Sequence, residues 1–378
     1  MTNDRSAGSP PRDGTGAATG SRRWRGWVLL GFAFVVVGVV GGLIGAAVSS
    51  SGSSSSGSRA ASTAAVGCPV TPVADRVLPS VVTISASGQA GGGTGSGEVI
   101  RDNGYILTNN HVIAPAASGG SVHVLFSDGA TAAATITGRD PLTDLAVLKV
   151  NSMPHLKPIA LGSSKSLQVG EPVIAMGAPL GLSGTVTAGI VSALDRTVEV
   201  PGENDKSALL VSAVQTDAAI NPGNSGGALV NCDSQLVGVP SAGASVPSSS
   251  GETSGGNIGL GFAIPVDLAK TVSSEIIATG RVTHADFGLQ STPISPTAAS
   301  EAGVPEGLFV RAVVPNGPAA QAGIHADDVI TKVEGHAATS NVQLQEITLT
   351  RKPGDKVSIE YSRAGKPATA TITLGRQP

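Results

Sequence analysis

Between Val81 and Pro265 short apolar or alternating runs recur, each closed by turn residues. They are VVTIS (81–85), SGEVI (96–100), YILTNN (105–110), VHVLF (122–126), LAVLKV (145–150), PVIAMG (172–177), GIVSAL (189–194), LVGV (236–239) and GFAIP (261–265). Each has the length of a strand and is too short for a stable helix. Many short strands at this spacing restrict the region to a sandwich or a barrel. Aromatic residues make up only 3% of the chain, so Val, Ile, Leu and Ala must fill the core. A helical stretch follows at 266–279, with Leu268, Val272, Ile276 and Ile277 near helical spacing and Gly280 as its stop.

A further region, about 284–376, mixes both periods. The sequence predicts strands at 307–314 and 328–335, a short helix at 318–324 and an amphipathic helix at 342–351. A hairpin turns around Arg363-Ala364-Gly365-Lys366. About ninety residues of this kind form a small independent α+β domain.

The N-terminal part has a different character. Residues 1–26 are rich in Gly, Ser, Pro and Thr and read as a disordered tail. Trp27 to Val48 carry no charge. As a helix at about 1.5 Å per residue they reach roughly 33 Å, enough to cross a hydrocarbon core of about 30 Å. Arg22, Arg23 and Arg25 precede this run, and Gly and Ser follow it. The positive-inside rule places the N-terminus in the cytoplasm and the remainder outside. A cleaved signal peptide is the rival, but the apolar run exceeds a usual signal core. Residues 49–69 form a flexible Gly/Ser linker.

Composition excludes several functions. A net charge of −3 provides no basic field for nucleic acid. No nucleotide fingerprint and no HExxH pattern occurs, so neither cofactor nor metal is expected. His123, His155, His284, His325 and His336 lie in strands or polar turns and are assigned structural roles.

The chemistry concentrates elsewhere. QTDAAINPGNSGGALV (215–230) places Ser225 among glycines, TNNHVI puts His111 after a strand, and DLAVLK puts Asp144 before one. A serine hydroxyl needs a base to take its proton and a buried carboxylate to orient that base. An imidazole near neutrality can take that proton up and release it again. Glycines beside the serine let backbone N–H groups approach a substrate carbonyl, which is what an oxyanion hole requires.

These segments, together with IGLGFAIP, resemble the HtrA (DegP/DegS-like) family of trypsin-fold serine proteases with a C-terminal PDZ domain. The likeness runs from about residue 75 to the C-terminus and is greatest toward membrane-anchored actinobacterial members. It implies a mainly β fold. A trypsin-like protease domain of two six-stranded β-barrels would span 70–280, and an α+β PDZ domain 283–376, behind one N-terminal transmembrane helix. It implies His111, Asp144 and Ser225 as the catalytic triad in the cleft between the barrels. The oxyanion hole would be formed at Gly223, Asn224 and Ser225.

The same resemblance puts Ala219, six positions before Ser225, at the base of the specificity pocket beside Ile220. No carboxylate waits there, so cleavage after small aliphatic residues is expected, with Asp217 nearby. The polar loop 240–257 would lie beside that pocket and order on peptide binding. Phe287-Gly288-Leu289 fits the carboxylate-binding loop of a PDZ domain, opposite the helix 342–351. Asp327-Asp328 departs from the family's Gly-Asp, which puts the turn at 327 in doubt. Cys68 and Cys232 lie where a bridge could form outside the membrane. Two free thiols are the alternative, and the residues leave both open. The implied partners are misfolded protein substrates, C-terminal peptides and copies of the chain in a homotrimer or higher oligomer. A PDZ scaffold or chaperone without catalysis is the rival function.

Overall fold

The computed structural model describes residues 68–89, 91–151, 155–178, 184–203, 207–221, 223–243 and 259–377. The expected tail, the membrane-length run 27–48 and the linker up to residue 67 lie outside them, as does most of the loop 240–257. Among the described residues no helix is long and apolar enough to cross a membrane.

Helix α1 (Val70–Val77) opens the described chain, where the sequence predicted no element. Val73, Ala74 and Val77, spaced at three and four, bury one face against Ile174, Met176 and Leu236.

Strands β1 (Val81–Gly88), β2 (Gly91–Val99), β3 (Tyr105–Asn109), β4 (Gly120–Leu125), β5 (Thr131–Asp140) and β6 (Leu145–Val150) close into a barrel. Their order is β1-β2-β3-β6-β5-β4. Ile84, Ile106, Val124 and Leu148 fill its interior and are fully buried. Helix α2 (Asn110–Ile113) follows β3 directly.

The second sheet contains β7 (Ala160–Leu161), β8 (Pro172–Gly177), β9 (Thr185–Pro201), β10 (Ser207–Thr216), β11 (Ala228–Val230), β12 (Gln235–Gly243) and β13 (Gly261–Pro265). Its order is β11-β8-β9-β10-β13-β12-β7, and β11 also pairs with β12. That pairing brings six strands into a ring, with β7 added parallel to β12. The expected count of six is therefore exceeded by one two-residue strand. The sequence also missed β5, β10 and the three-residue β11. In β5, a run of Ala and Thr carries no apolar–polar alternation, and β10 carries register shifts that break its alternation.

Helix α3 (Val266–Thr279) lays Ala269, Val272 and Ile276 on Leu107, Leu145 and Val147 of the first barrel. It stops where Gly280 turns left-handed, at φ +79°.

The C-terminal domain comprises β14 (Ala285–Asp286), β15 (Leu289–Ile294), α4 (Pro296–Ala302), β16 (Gly307–Val313) and α5 (Pro318–Gln321). There follow β17 (Val329–Val333), β18 (His336–Ala337), α6 (Asn341–Thr350), β19 (Lys356–Arg363), β20 (Lys366–Thr373) and β21 (Gly375–Arg376). Its main sheet runs β15-β16-β17-β19-β20, and β14 pairs with β21. Asp327 does adopt the left-handed conformation, at φ +70°, while its N–H bonds Val310 O at 2.9 Å. An aspartate tolerates this better than most side chains, so the turn survives without glycine. Next to it, Asp328 is buried. Burial pushes its carboxyl up, but Arg363, at 2.7 and 2.8 Å, and the His325 N–H hold it below the usual carboxylate range. That contribution to stability is present above the ordinary carboxylate pKa and is lost as pH falls.

Among the described residues, several contacts tie this domain to the barrels, among them Thr197 Oγ1 donating to Glu346 Oε2 at 3.3 Å. His284 Nε2 meets Asp140 Oδ1 at 2.9 Å, with both side chains buried. Leu349 of α6 packs on Leu209 and Val211 of β10. The structural role expected of His284 thus has a partner 144 residues away.

Cys68 and Cys232 form a disulfide across 164 residues, with their Cα atoms 5.2 Å apart. It fastens the entry of α1 to the turn after β11. Closing so long a loop restricts the unfolded chain, and such bridges contribute about 2–5 kcal/mol. Cys232→Ser should lose stability in that range, read from urea unfolding with and without reductant. Equal midpoints for both proteins in the oxidised state would refute it.

Candidate active site

His111, Asp144 and Ser225 come from three separate elements. His111 sits on α2, which follows β3 directly, Asn109 ending the strand in extended backbone (φ −80°, ψ 149°). Asp144 sits in the turn between β5 and β6, with φ +57°. A non-glycine residue in this conformation is strained, and such strain clusters at sites where geometry is held for function. Ser225 lies in the loop before β11.

The hydrogen bonds around Asp144 explain how the turn is held. Its carbonyl accepts Asn110 N–H at 3.1 Å and Asn109 Nδ2 at 2.9 Å. Its Oδ1 accepts the His111 N–H at 3.0 Å. Its two carboxyl oxygens lie 3.0 and 2.9 Å from His111 Nδ1. Ser241 Oγ donates to Oδ2 at 2.6 Å. The carboxylate is buried, at 4% side-chain exposure, while the imidazole is 38% exposed. With an acceptor-only carboxylate facing Nδ1, the ring proton belongs there, and Nε2 presents its lone pair outward.

Ser225 is half-buried. Its hydroxyl donates to Ser241 O at 3.3 Å and, among the described residues, makes no hydrogen bond to His111. The structure therefore joins His111 and Asp144 directly and connects Ser225 to them through Ser241. Ser241 was missed because the sequence reading put it in the polar loop 240–257, whereas the structure continues β12 through it.

The loop before Ser225 is shaped from behind by β2. Ser96 N–H bonds Ser225 O at 2.9 Å, and Ser96 Oγ donates to Gly223 O at 2.6 Å while accepting Ala178 N–H at 2.8 Å. Gly223 takes φ +102°. A Cβ on Gly226 would lie 2.4 Å from Ser96 O and from Thr108 Oγ1, so only glycine fits there. Among the described residues the N–H groups of Gly223 and Ser225 have no backbone acceptor. Asn224 corrects the expectation for this loop. Its N–H is committed to Asn221 O at 3.0 Å, and its buried side chain holds Ala219 O through Nδ2 at 3.2 Å. It braces the loop from within and offers no oxyanion donor.

Ala219 stands between Thr187 Oγ1 and Asn224 Nδ2, both of which bond its carbonyl. Ile220 is 3% exposed and belongs to the apolar cluster of Val173, Val191 and Val214, with its side chain against Gly261. Asp217 is exposed, and its carboxylate accepts Ile190 N–H at 2.7 Å. In the C-terminal domain Phe287 points into the core, and Gly288 takes φ +68°. Asn341, at the start of α6, donates from Nδ2 to Ser291 O of β15 at 3.0 Å. Among the described residues no cluster of His, Cys, Asp and Glu could hold a metal ion.

Residues 95–239 match the family model of the trypsin-like peptidase domain, and residues 285–374 match that of the PDZ domain. The serine protease PepD of Mycobacterium tuberculosis is 44% identical over 314 residues, covering 81% of this chain and 66% of PepD. The periplasmic serine endoprotease DegP of Salmonella typhimurium is 40% identical over 283 residues, covering 74% of this chain and 56% of DegP. The chain thus spans two thirds or less of these curated relatives. A solved structure of the HtrA-type protease AlgW with a tripeptide superimposes with a TM-score of 0.63 at 34% identity, covering 82% of this chain and 97% of AlgW.

Proposed function

We propose, from the premise that this chain belongs to the HtrA/DegP family of trypsin-like serine proteases with a PDZ domain, that it is an extracytoplasmic serine endopeptidase. Ser225 is its nucleophile, His111 its general base and then acid, and Asp144 the carboxylate that holds the imidazole. The observation that carries this reading is Asp144, bonded at once to the backbone and the ring of His111 from a strained turn.

The steps follow from the positions of the groups. The Ser225 hydroxyl leaves Ser241 O for His111 Nε2, and the proton passes to the ring as Oγ attacks the peptide carbonyl. Asp144 and Ser241 stabilise the imidazolium that results. The N–H groups of Gly223 and Ser225 receive the oxyanion, and losing one such donor costs about 3–4 kcal/mol of barrier. The proton on His111 then leaves with the amine, and water repeats the sequence on the acyl-enzyme.

Ala219 and the apolar wall of Ile220 favour small aliphatic residues before the cleaved bond, while Asp217 is occupied by the Ile190 amide. The PDZ domain binds C-terminal peptides at Phe287-Gly288-Leu289. Residues 27–48 anchor the chain in the cell membrane with its N-terminus in the cytoplasm, and copies assemble as trimers or larger. The disulfide and the periplasmic name of DegP support an oxidising compartment outside the membrane. Misfolded exported proteins are the substrates.

A fluorophosphonate probe should label the full-length protein at Ser225. A peptide library should show cleavage after Val, Ala or Leu at least about tenfold faster than after Lys or Arg. No labelling would remove the enzyme in favour of a PDZ scaffold. Cleavage after Lys or Arg would remove the pocket assignment alone.

A further inference from the structure

Glu98 is fully buried on β2, and the chemistry above makes no use of it. Neither of its carboxyl oxygens has a hydrogen-bond partner. Among the described residues the only other buried side-chain atoms in that state are Asn109 Oδ1 and Asn224 Oδ1. Register puts the first two on the same face of neighbouring strands. Glu98 pairs with Leu107 on β3, and Asn109 stands two positions further along the same face. Such diagonal positions are roughly 7–8 Å apart, within reach of a long side chain.

Two neighbouring buried acceptors without a donor point to a proton on one of them. An amide oxygen does not hold one in water, but a carboxyl does. Burial pushes the Glu98 carboxyl well above the carboxylate range, against a smaller opposing effect of its own backbone. Among the described residues the surroundings offer no compensating charge. Strands β1, β8 and β11 contain no charged residue. On β3 the titratable group is Tyr105, half-exposed, with Arg101 and Lys149 over its ring. Beyond Asn109 stand Asp144 and its partner His111, and a second negative charge at Glu98 would oppose the first.

We propose that Glu98 donates a hydrogen bond from a protonated carboxyl to Asn109 Oδ1, and that this bond fixes the amide whose Nδ2 holds the Asp144 carbonyl. Glu98 is then a positioning residue. It acts through Asn109 on the strained turn that aims the Asp144 carboxylate at His111. Ionisation breaks the bond and leaves a bare charge between the barrels. The sign follows from the raised carboxyl. Its contribution is complete below the unfolded carboxylate pKa and is lost as pH rises through the folded value.

The kinetic part rests on the proposed endopeptidase activity; the proton itself does not. Infrared spectra of the full-length protein should show a protonated carboxyl band at pH 7. The band should vanish in Glu98→Gln and shift in Asn109→Ala. With a peptide substrate, Glu98→Leu should lower kcat about tenfold with KM within about twofold, the effect of one lost buried hydrogen bond. Glu98→Gln retains a donor, so it should recover to within about threefold of the wild type and lack the alkaline loss of activity. A spectrum without the band, a band indifferent to Asn109→Ala, or Leu and Gln variants alike in kcat and pH profile would overturn the proposal. If the wild type itself cleaves no peptide, the endopeptidase reading fails, and the infrared band still decides the state of Glu98.

Discussion

Ser225→Ala is expected to lower kcat for peptide hydrolysis about a millionfold, to the level that binding and backbone donors alone sustain. The methyl group cannot attack, and nothing else in the loop replaces it. Thr108 and Ser96 are the nearby hydroxyls held by named bonds, and both are spent on backbone carbonyls. The fold should not notice the change. Ser225 Oγ makes one long hydrogen bond, 3.3 Å to Ser241 O, while its carbonyl keeps the bond to Ser96 N–H. Turnover of casein and of a chromogenic peptide, measured beside thermal melting, checks both halves. A variant that melts like the wild type and still digests casein would show that the nucleophile lies elsewhere.

Asp144→Asn should cost about ten-thousandfold in kcat with little change in KM. Both carboxyl oxygens are engaged, one with the His111 backbone, the other with Ser241 Oγ, and each lies within 3.0 Å of Nδ1. Asparagine supplies one oxygen and one NH2 in that space. If the NH2 faces the ring, Nδ1 must accept, the proton moves to Nε2, and His111 can no longer take the proton from Ser225. Nitrogen NMR of the His111 ring reads this tautomer directly. An unchanged Nδ1–H signal in the variant, together with full activity, would refute the orienting role.

Much of the protein could be read along the chain. The strand runs led to a sandwich or a barrel, because alternation of apolar and polar residues reports one buried face per strand, while the division into two barrels rested on the family resemblance. β5 and β10 escaped, since their alternation is blurred by alanine, threonine and register shifts. His111, Asp144 and Ser225 stood out because their flanking motifs have a fixed chemistry, and the structure joins the first two directly. Their supports were not. Ser96, Asn109 and Ser241 are common residue types in common settings, and each matters only through a partner that folding brings to it. The partner of His284 escaped for the same reason, with Asp140 far upstream. Asn224 was assigned by position, and only the turn to Asn221 O shows that its N–H is occupied.

By itself the sequence determined the kinds of groups present and the order of the two domains, since both depend on local pattern. The tertiary structure decided which hydroxyl meets which carbonyl, why Asp144 is held in a strained turn, and that Glu98 is sealed between the barrels without a counter-charge. The physical reason is distance along the chain. Ser241 meets Asp144 across 97 residues and Ser96 meets Gly223 across 127. No local preference can encode a contact that exists only once two barrels have closed on each other.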